Sequence, residues 1–484
     1  MRSAIVTLLL AAGVLSASAG GAGSAGELDV TFSGDGWAVV AFDLGIWSGA
    51  DAKRILASSD GKILIVGKAL GPPGIGADFA LARLTASGDL DPGFGSDGRF
   101  TIGFDLGGSD HDVPLAAALT PDGRIVVVGY ADQAWNEWTP VAVRIRESRG
   151  SGWELDPTFA GDGELIWDLR GGYDYSSTAL GVDVLGNGEV IAGGMRIADV
   201  DYFGVPWISK LLATSSSDVQ ALDPGFGDQG LFFFGDTWSW HDIADTTVTP
   251  EGSILAVGVT SGEWSDMLAF RLQPNGQLDP SFAGVGWISV DLPETSGEEG
   301  IAVLAGKGGS AFLVGRVQVG TPGNLGALVA KLDATGSLDP TYGTEGLSYV
   351  SPEELGGDLQ VRAAVLQGDG RVVVGGALVQ PTENPQFIAF RLTSTGSLDP
   401  SFGSGGVARL ATGPNGTPPE VGAWDVAMQP DGRLLLLGTC YLPTPQGRQA
   451  KFCVARLTND YVFADGFEAG SAAAWSTEAA ATPP

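Results

Sequence analysis

The sequence predicts an all-β protein, a seven-bladed β-propeller of four-stranded antiparallel blades in which the N-terminal strand closes the last blade. Three observations predict it: a phrase written seven times, a four-strand grammar inside each copy, and a chain that begins with the strand its last copy lacks. The phrase reads LDVTFSGDG from Leu28, LDPGFGSDG from Leu90, LDPTFAGDG from Leu155, LDPGFGDQG from Leu222, LDPSFAGVG from Leu278, LDPTYGTEG from Leu338 and LDPSFGSGG from Leu398. Its aspartates Asp29, Asp91, Asp156, Asp223, Asp279, Asp339 and Asp399 stand 62, 65, 67, 56, 60 and 60 residues apart. Tandem units of this length build one ring or array, so the 484 residues are read as one large domain.

The second copy shows the grammar. Arg99 to Phe104, Leu115 to Thr120, Arg124 to Tyr130 and Val141 to Arg146 are rich in β-branched and aromatic residues and bounded by Gly, Pro and Asp, which reads as four short strands. Asp122-Gly123 between the middle two marks a tight hairpin, because glycine accepts the positive φ such a turn demands. Equivalent turns recur at Asp60-Gly61, Asn187-Gly188, Glu251-Gly252, Asp369-Gly370 and Asp431-Gly432, with Gly308-Gly309 in the fifth unit.

A four-stranded sheet with two apolar faces is unstable alone. Radial packing buries both faces of every sheet, and seven lies within the usual range of blades. An open solenoid would need polar capping repeats, whereas the first and last units here are as apolar as the rest. If the strand before each hairpin lines the channel, the strand after each LDPxFG phrase is the outermost strand of the preceding blade. The chain begins with that strand, Trp37 to Phe42, and closes at Phe452 to Leu457, so the N-terminal strand should complete the last blade.

The last strand of each unit carries a cation at a fixed place: Arg83, Arg144, Lys210, Arg271, Lys331, Arg391 and Arg456. Because side chains alternate along a strand, Phe79, Leu81 and Arg83 share one face. A cation on a buried face needs a partner, and the repeat aspartate follows within reach. The expectation is a structural ion pair or turn clamp in every unit, with Asp-Pro opening a type I turn.

Outside the repeats, Met1-Arg2, the apolar run Ala4 to Leu15 and Ala17-Ser18-Ala19 have the pattern of an export leader cleaved after Ala19. The boundaries read as a signal peptide over 1–19, a short linker over 20–27, the propeller over 28–460 and a tail over 461–484. An exported protein, secreted or held at the cell surface or in the periplasm, is expected. No later stretch approaches a membrane span, and a monomer is expected. The formal charge is −31, which disfavours nucleic acid and anionic lipid and favours cations or basic partners. Cys440 and Cys453, the two cysteines, would pair in an oxidising compartment.

These motifs resemble the delta-60 repeat, a tandem family of about sixty residues per copy found in exported bacterial proteins. The resemblance runs from Leu28 to about Leu457 and rests on LDxxFG, an alanine-rich strand, DG(K/R) before an apolar strand, and FhhhRh (h, hydrophobic), seen seven times. It implies a β-propeller and brings no catalytic residues to carry over. The stretch Phe463 to Glu468 with Trp475 resembles the DGFExG…W tail of other exported bacterial proteins, a short processing, sorting or docking tag.

Catalytic constellations are thin: two histidines, and no HExxH, GxSxG, P-loop, CxxC or dinucleotide fingerprint in the required context. The loops that enter the inner strands, and those between second and third strands, share one rim. There the first four repeats carry Trp47, Trp135, Trp138, Tyr173, Tyr175, Tyr202, Phe203, Trp207, Trp238, Trp240 and Trp264, interleaved with Asp51, Asp110, Asp112, Asp174, Asp201, Asp242, Glu263 and, across the ring, Glu299. Ring faces stack on sugar C–H groups while carboxylates accept from hydroxyls. The expected ligand site comprises Trp47, Asp51, Asp112, Trp135, Trp138, Tyr175, Trp238, Trp240 and Asp242, for an extracellular glycan, a peptide or basic protein, or a cation. No resident cofactor is required; calcium is the metal such carboxylates would suit. His111 and His241 hold equivalent places in SDHD and SWHD, and as two ligands they do not complete a metal site. The leading expectation is a non-catalytic binding module. A metal-assisted hydrolase or lyase on a propeller scaffold and a structural surface or assembly protein are the alternatives.

Overall fold

The computed structural model describes residues 24–42, 49–71, 76–108, 111–134, 137–148, 152–167, 169, 174–198, 203–235, 241–261, 265–292, 295, 297–320, 324–417, 422–445 and 447–460. Seven antiparallel sheets follow one another around a ring. Their innermost strands are Gly49–Ala57, Asp112–Leu119, Asp174–Val184, His241–Val248, Gly297–Ala305, Asp358–Leu366 and Ala423–Met428, which open blades 1 to 7. Each blade then runs outward through a second, third and outer strand; in blade 1 these are Ile63–Leu70, Ala77–Leu84 and Arg99–Ile102.

The N-terminal strand Trp37–Val40 pairs antiparallel with the third strand of blade 7, Trp37 opposite Ala455 and Val40 opposite Phe452. Chain start and chain end thus share one sheet, as the permuted pattern predicts. The spacing irregularities also have visible causes. The longer link between Arg144 and Asp156 folds an extra strand, Gly152–Leu155, onto blade 2, and the link before Asp223 makes one helical turn, Asp218–Ala221. The hairpins differ in detail from a two-residue turn: Thr120 and Arg124 close a three-residue loop, with Gly123 alone at positive φ (84°), a type I turn followed by a left-handed glycine.

Buried apolar residues of the described chain fall into seven clusters, one between each pair of neighbouring blades. Strand alternation sorts them. In Ala77–Leu84, Phe79 and Leu81 face blade 2 while Ala80 and Ala82 face blade 7. In the gap between blades 7 and 1 the small Ala80 and Ala82 thus meet Leu435, Leu437 and Phe452, each buried Phe or Leu stabilising by about 1.5–3 kcal/mol. The fit is close enough that a Cβ on Gly67 would come within 2.8 Å of the Phe452 ring.

All seven clamps form. Arg83–Asp91, Arg144–Asp156, Arg271–Asp279 and Arg391–Asp399 meet at 2.8 Å, Lys331–Asp339 and Arg456–Asp29 at 2.9 Å, and Lys210–Asp223 at 3.0 Å. The other carboxylate oxygen accepts the N–H two residues on, for example Gly93 at 3.0 Å, and the Phe94 N–H closes the turn onto the Asp91 carbonyl. The guanidinium of Arg144 lies 4.8 Å over Phe159 and donates to the Ala213 carbonyl on the next blade at 2.7 Å. One motif therefore supplies the turn, the carboxylate and the ring beneath the cation, and hands a bond to its neighbour. Cys440 and Cys453, on adjacent strands of blade 7 with Cα atoms 5.8 Å apart, form a disulfide.

Candidate functional site

The ring reads the same seven times at its clamp face but not at its channel. Each inner strand carries a β-bulge, and the bulged residue stands seven positions before the hairpin residue: Lys53, Leu115, Leu180, Ala244, Ile301, Arg362 and Trp424. Blades 2 to 5 place aliphatic residues there. Blades 6, 7 and 1 place Arg362, Trp424 and Lys53, and these three converge, with the Arg362 guanidinium 4.2 Å and the Lys53 ammonium 4.6 Å from the Trp424 ring centre.

Around them the polar arc continues. Lys53 bonds Asp51 at 2.9 Å, and Asp51 also accepts from Thr439 at 3.0 Å. Lys68, opposite Asp51 in the strand register, is half-buried, and burial lowers its pKa. Arg362 donates to Gln360 at 2.7 Å; burial and the like charge of Arg316 lower its pKa. Arg316 pairs with Glu299, which faces Asp242 of blade 4. Burial, reinforced by Glu299, pushes Asp242 up to about 6.

A deeper layer is structural. Arg54 donates to the Leu115 carbonyl at 3.0 Å and stands 3.8 Å from Asp425. Asp425 is buried and Asp245 and Asp183 are half-buried, and they accept the N–H of Ile55, Val303 and Val248 on the following blades, at 2.7, 3.1 and 2.8 Å. Burial raises the pKa of all three, Asp245 to about 6. These carboxylates staple inner strands together.

The sequence-predicted site residues divide. Trp47, Trp135, Trp238 and Trp240 lie outside the described residues, as do Asp110, Tyr173, Asp201, Tyr202, Glu263 and Trp264; Tyr175, Asp174 and Phe203 have only their backbone described, in blade 3 strands. Trp138 is 39% exposed, its ring centre 5.0 Å from that of Tyr130. Asp51 and Asp242 join the polar arc. Two assignments need correction. Asp112 is 1% exposed and accepts the Phe104 N–H at 2.5 Å, so burial removes it from the rim. Trp207 is fully buried, 5.4 Å from Trp167, because it lies on the blade 2 side of its strand. His111 immediately precedes the inner strand of blade 2 and bridges Ala77 of blade 1, whereas His241 opens the inner strand of blade 4 and packs edge-on against Phe234 at 5.6 Å. Loop-based reasoning missed Arg362, Trp424, Lys53, Lys68 and Arg316; comparing repeats at the position seven before the turn finds the first three.

Two further features border the ring. Asp266, Asp291 and Glu298, between blades 4 and 5, each bring a carboxylate oxygen within 4.8 Å of the others, with Ser289 donating to Asp266 and Thr295 to Glu298. Phe232, Phe233, Phe234, His241, Leu268 and Trp287 line an apolar cavity of about 360 Å³ between blades 3 and 4.

Fold and channel together define a seven-bladed β-propeller of tandem repeats. Residues 58–94 and 367–402 match the β-propeller domain of unknown function DUF5122. The chain matches no curated protein by sequence. Solved structures of similar shape include the acylaminoacyl peptidase of Pyrococcus horikoshii (10% identity, TM-score 0.41, covering 85% of this chain and 52% of that one). Others are Drosophila Plexin A in complex with Semaphorin 1b (10%, 0.38, covering 85% and 86%) and the alpha-L-arabinofuranosidase of Lactobacillus brevis (12%, 0.31, covering 57% and 89%). The chain spans about half the length of the peptidase. Among the described residues, no helix is long and apolar enough to cross a membrane.

Proposed function

We propose that this chain is an exported, non-catalytic binding module that seats an extracellular ligand at the channel, against the inner strands of blades 4 to 7 and 1. The observation that carries the reading is the asymmetry at the bulge: a ring held by seven repeated clamps and seven interblade clusters needs no Arg362–Trp424–Lys53 cluster for its stability. Polar and aromatic groups converging in a concavity are the usual marks of a ligand site. The delta-60 resemblance, the leader over 1–19 and a sorting or docking role for the tail over 461–484 belong to the same reading. The loop aromatics Trp47, Trp135, Trp238 and Trp240 would extend the site outward, and the rim carboxylates would favour glycan hydroxyls, basic peptide or calcium.

The test is a glycan and peptide array probed with the exported protein, with and without calcium, followed by calorimetry. Micromolar binding abolished by Trp424→Ala is expected. Binding kept in Trp424→Ala but lost in Trp135→Ala/Trp240→Ala moves the site to the loops, and no binding to any polymer refutes the reading. One observation favours the enzymatic alternative: an Asp242 that titrates near 6 suits general acid catalysis. Product formation from a bound polymer, lost in Asp242→Asn, would establish it.

A further inference from the structure

In a chain with 57 acidic side chains against 26 basic ones, a cation without a carboxylate is conspicuous. The seven repeat cations all have one, and so do Lys53 and Arg316. Arg362 and Lys68 have none within 4 Å among the described residues: both are half-buried, Arg362 makes one side-chain hydrogen bond, to the neutral Gln360, and the pull of Glu299 on Arg362 and of Asp51 on Lys68 acts only through space and is outweighed by burial. Desolvating a cation without a direct ion pair costs free energy that a fold ordinarily avoids. Trp424, against which Arg362 lies, adds a buried indole N–H with no acceptor. Three donor groups thus stand on neighbouring blades of one arc, short of an acceptor.

We infer that this arc is a carboxylate-binding subsite, and that the ligand of the binding module is a glycan bearing uronic acid residues. The inference rests on the binding reading above and specifies its ligand. Arg362 presents the planar fork that matches a carboxylate, with Lys68 as a second charge. The same arc holds Asp51, Glu299 and Gln360, which accept from hydroxyls, so it offers partners for both halves of a hydroxyl-rich acid. An acidic peptide would use the cations and leave those acceptors facing its own negative charge. The protein's −31 charge opposes a long polyanion, so a short acidic segment or chain end is favoured over a continuous one.

The experiment titrates the exported protein with trigalacturonate, its methyl ester, triglutamate and a neutral trisaccharide by calorimetry, using wild type, Arg362→Gln and Lys68→Gln. Trigalacturonate should bind, with affinity about tenfold lower in Arg362→Gln, the loss expected from one charge-assisted pair, and lower also in Lys68→Gln, while the ester binds far more weakly. Equal binding of acid and ester, or unchanged affinity in both variants with native melting temperatures, overturns the inference. Triglutamate binding as tightly as trigalacturonate overturns the glycan assignment. Binding of the neutral trisaccharide alone overturns this inference and leaves the binding module standing; failure of every probe on this test and on the arrays removes both.

Discussion

Replacing Asp156 by alanine tests the clamp where it is most buried. Asp156 is fully buried and Arg144 is 1% exposed. The carboxylate holds Arg144 at 2.8 Å, Arg124 at 3.1 Å and Arg146 at 3.4 Å, and its second oxygen accepts from the Thr158 N–H at 3.1 Å. Asp156→Ala leaves three cations around one vacated anion, one of them with no route to water, and breaking a buried pair in this way costs about 3–5 kcal/mol. For a ring of this size that corresponds to a fall in Tm of about 3–6 °C. Arg144→Met should cost less, because Asp156 keeps two cations, and the double variant should cost less than the sum. Asp339→Ala is the internal control: side-chain exposures of 22% for Lys331 and 20% for Asp339 put that pair near the surface, where about 0–1 kcal/mol is expected. Calorimetric melting of the four proteins decides. Equal shifts for Asp156→Ala and Asp339→Ala, or none for either, would refute a clamp whose strength follows burial.

Three further outcomes follow from the same geometry. Deleting the chain up to Val40 removes both the closing strand and Asp29, baring Phe452 and the buried Arg456; melting should fall further than for any single clamp variant, and a smaller fall would mean the ring does not depend on closure. Cys440→Ser frees a crosslink spanning 13 residues, so about 3 kcal/mol of stabilisation should be lost, read as a lower urea midpoint that reductant no longer affects. Stability against pH should show a maximum on the acid side. Burial pushes Asp242 and Asp245 up to about 6 from the ordinary carboxylate value of 3.8, so the native state holds more protons between those values and stability falls as pH rises through them. Asp339 is held at about 2 by Thr341 and Lys331, and the stability it contributes above about 4 is lost as pH falls toward 2. Melting scans should therefore rise a few degrees from pH 7.5 to 5 and decline below 4; a monotonic profile would contradict these assignments.

The fold was legible because everything that builds it is repeated. Strand alternation, the hairpin turn, the Asp–cation partnership and the displaced first strand each recur with a fixed phase, so one copy's ambiguity is resolved by six others. Burial of Asp112 and Trp207 was not legible, since both have residue types common on rims, and only the packing of blade 2 against blade 3 turns Trp207 inward. Trp424 escaped notice for the opposite reason. It lies on an inner strand of a repeat whose loops are poor in aromatics, and its position is marked only by a bulge, which is a property of pairing and not of composition.

That contrast gives a rule for where function sits in such a ring. Clamp positions carry the same cation–aspartate geometry in every blade, with a strength that follows burial, so the buried ones cannot diverge without cost. A bulged residue leaves the ladder and takes no part in the repeated clamp, so its identity can vary from blade to blade. Here the variation is not scattered: Leu115, Leu180, Ala244 and Ile301 are contiguous, and so are Arg362, Trp424 and Lys53 across the seam where the chain closes. Exchanging Arg362 with Leu115 by double substitution would move charge from one sector of the channel to the other while leaving clamps, turns and interblade clusters untouched. Retained melting with transferred or lost ligand binding would show that the bulge ring carries specificity independently of the fold; loss of folding would show instead that Arg362 and Trp424 belong to the scaffold.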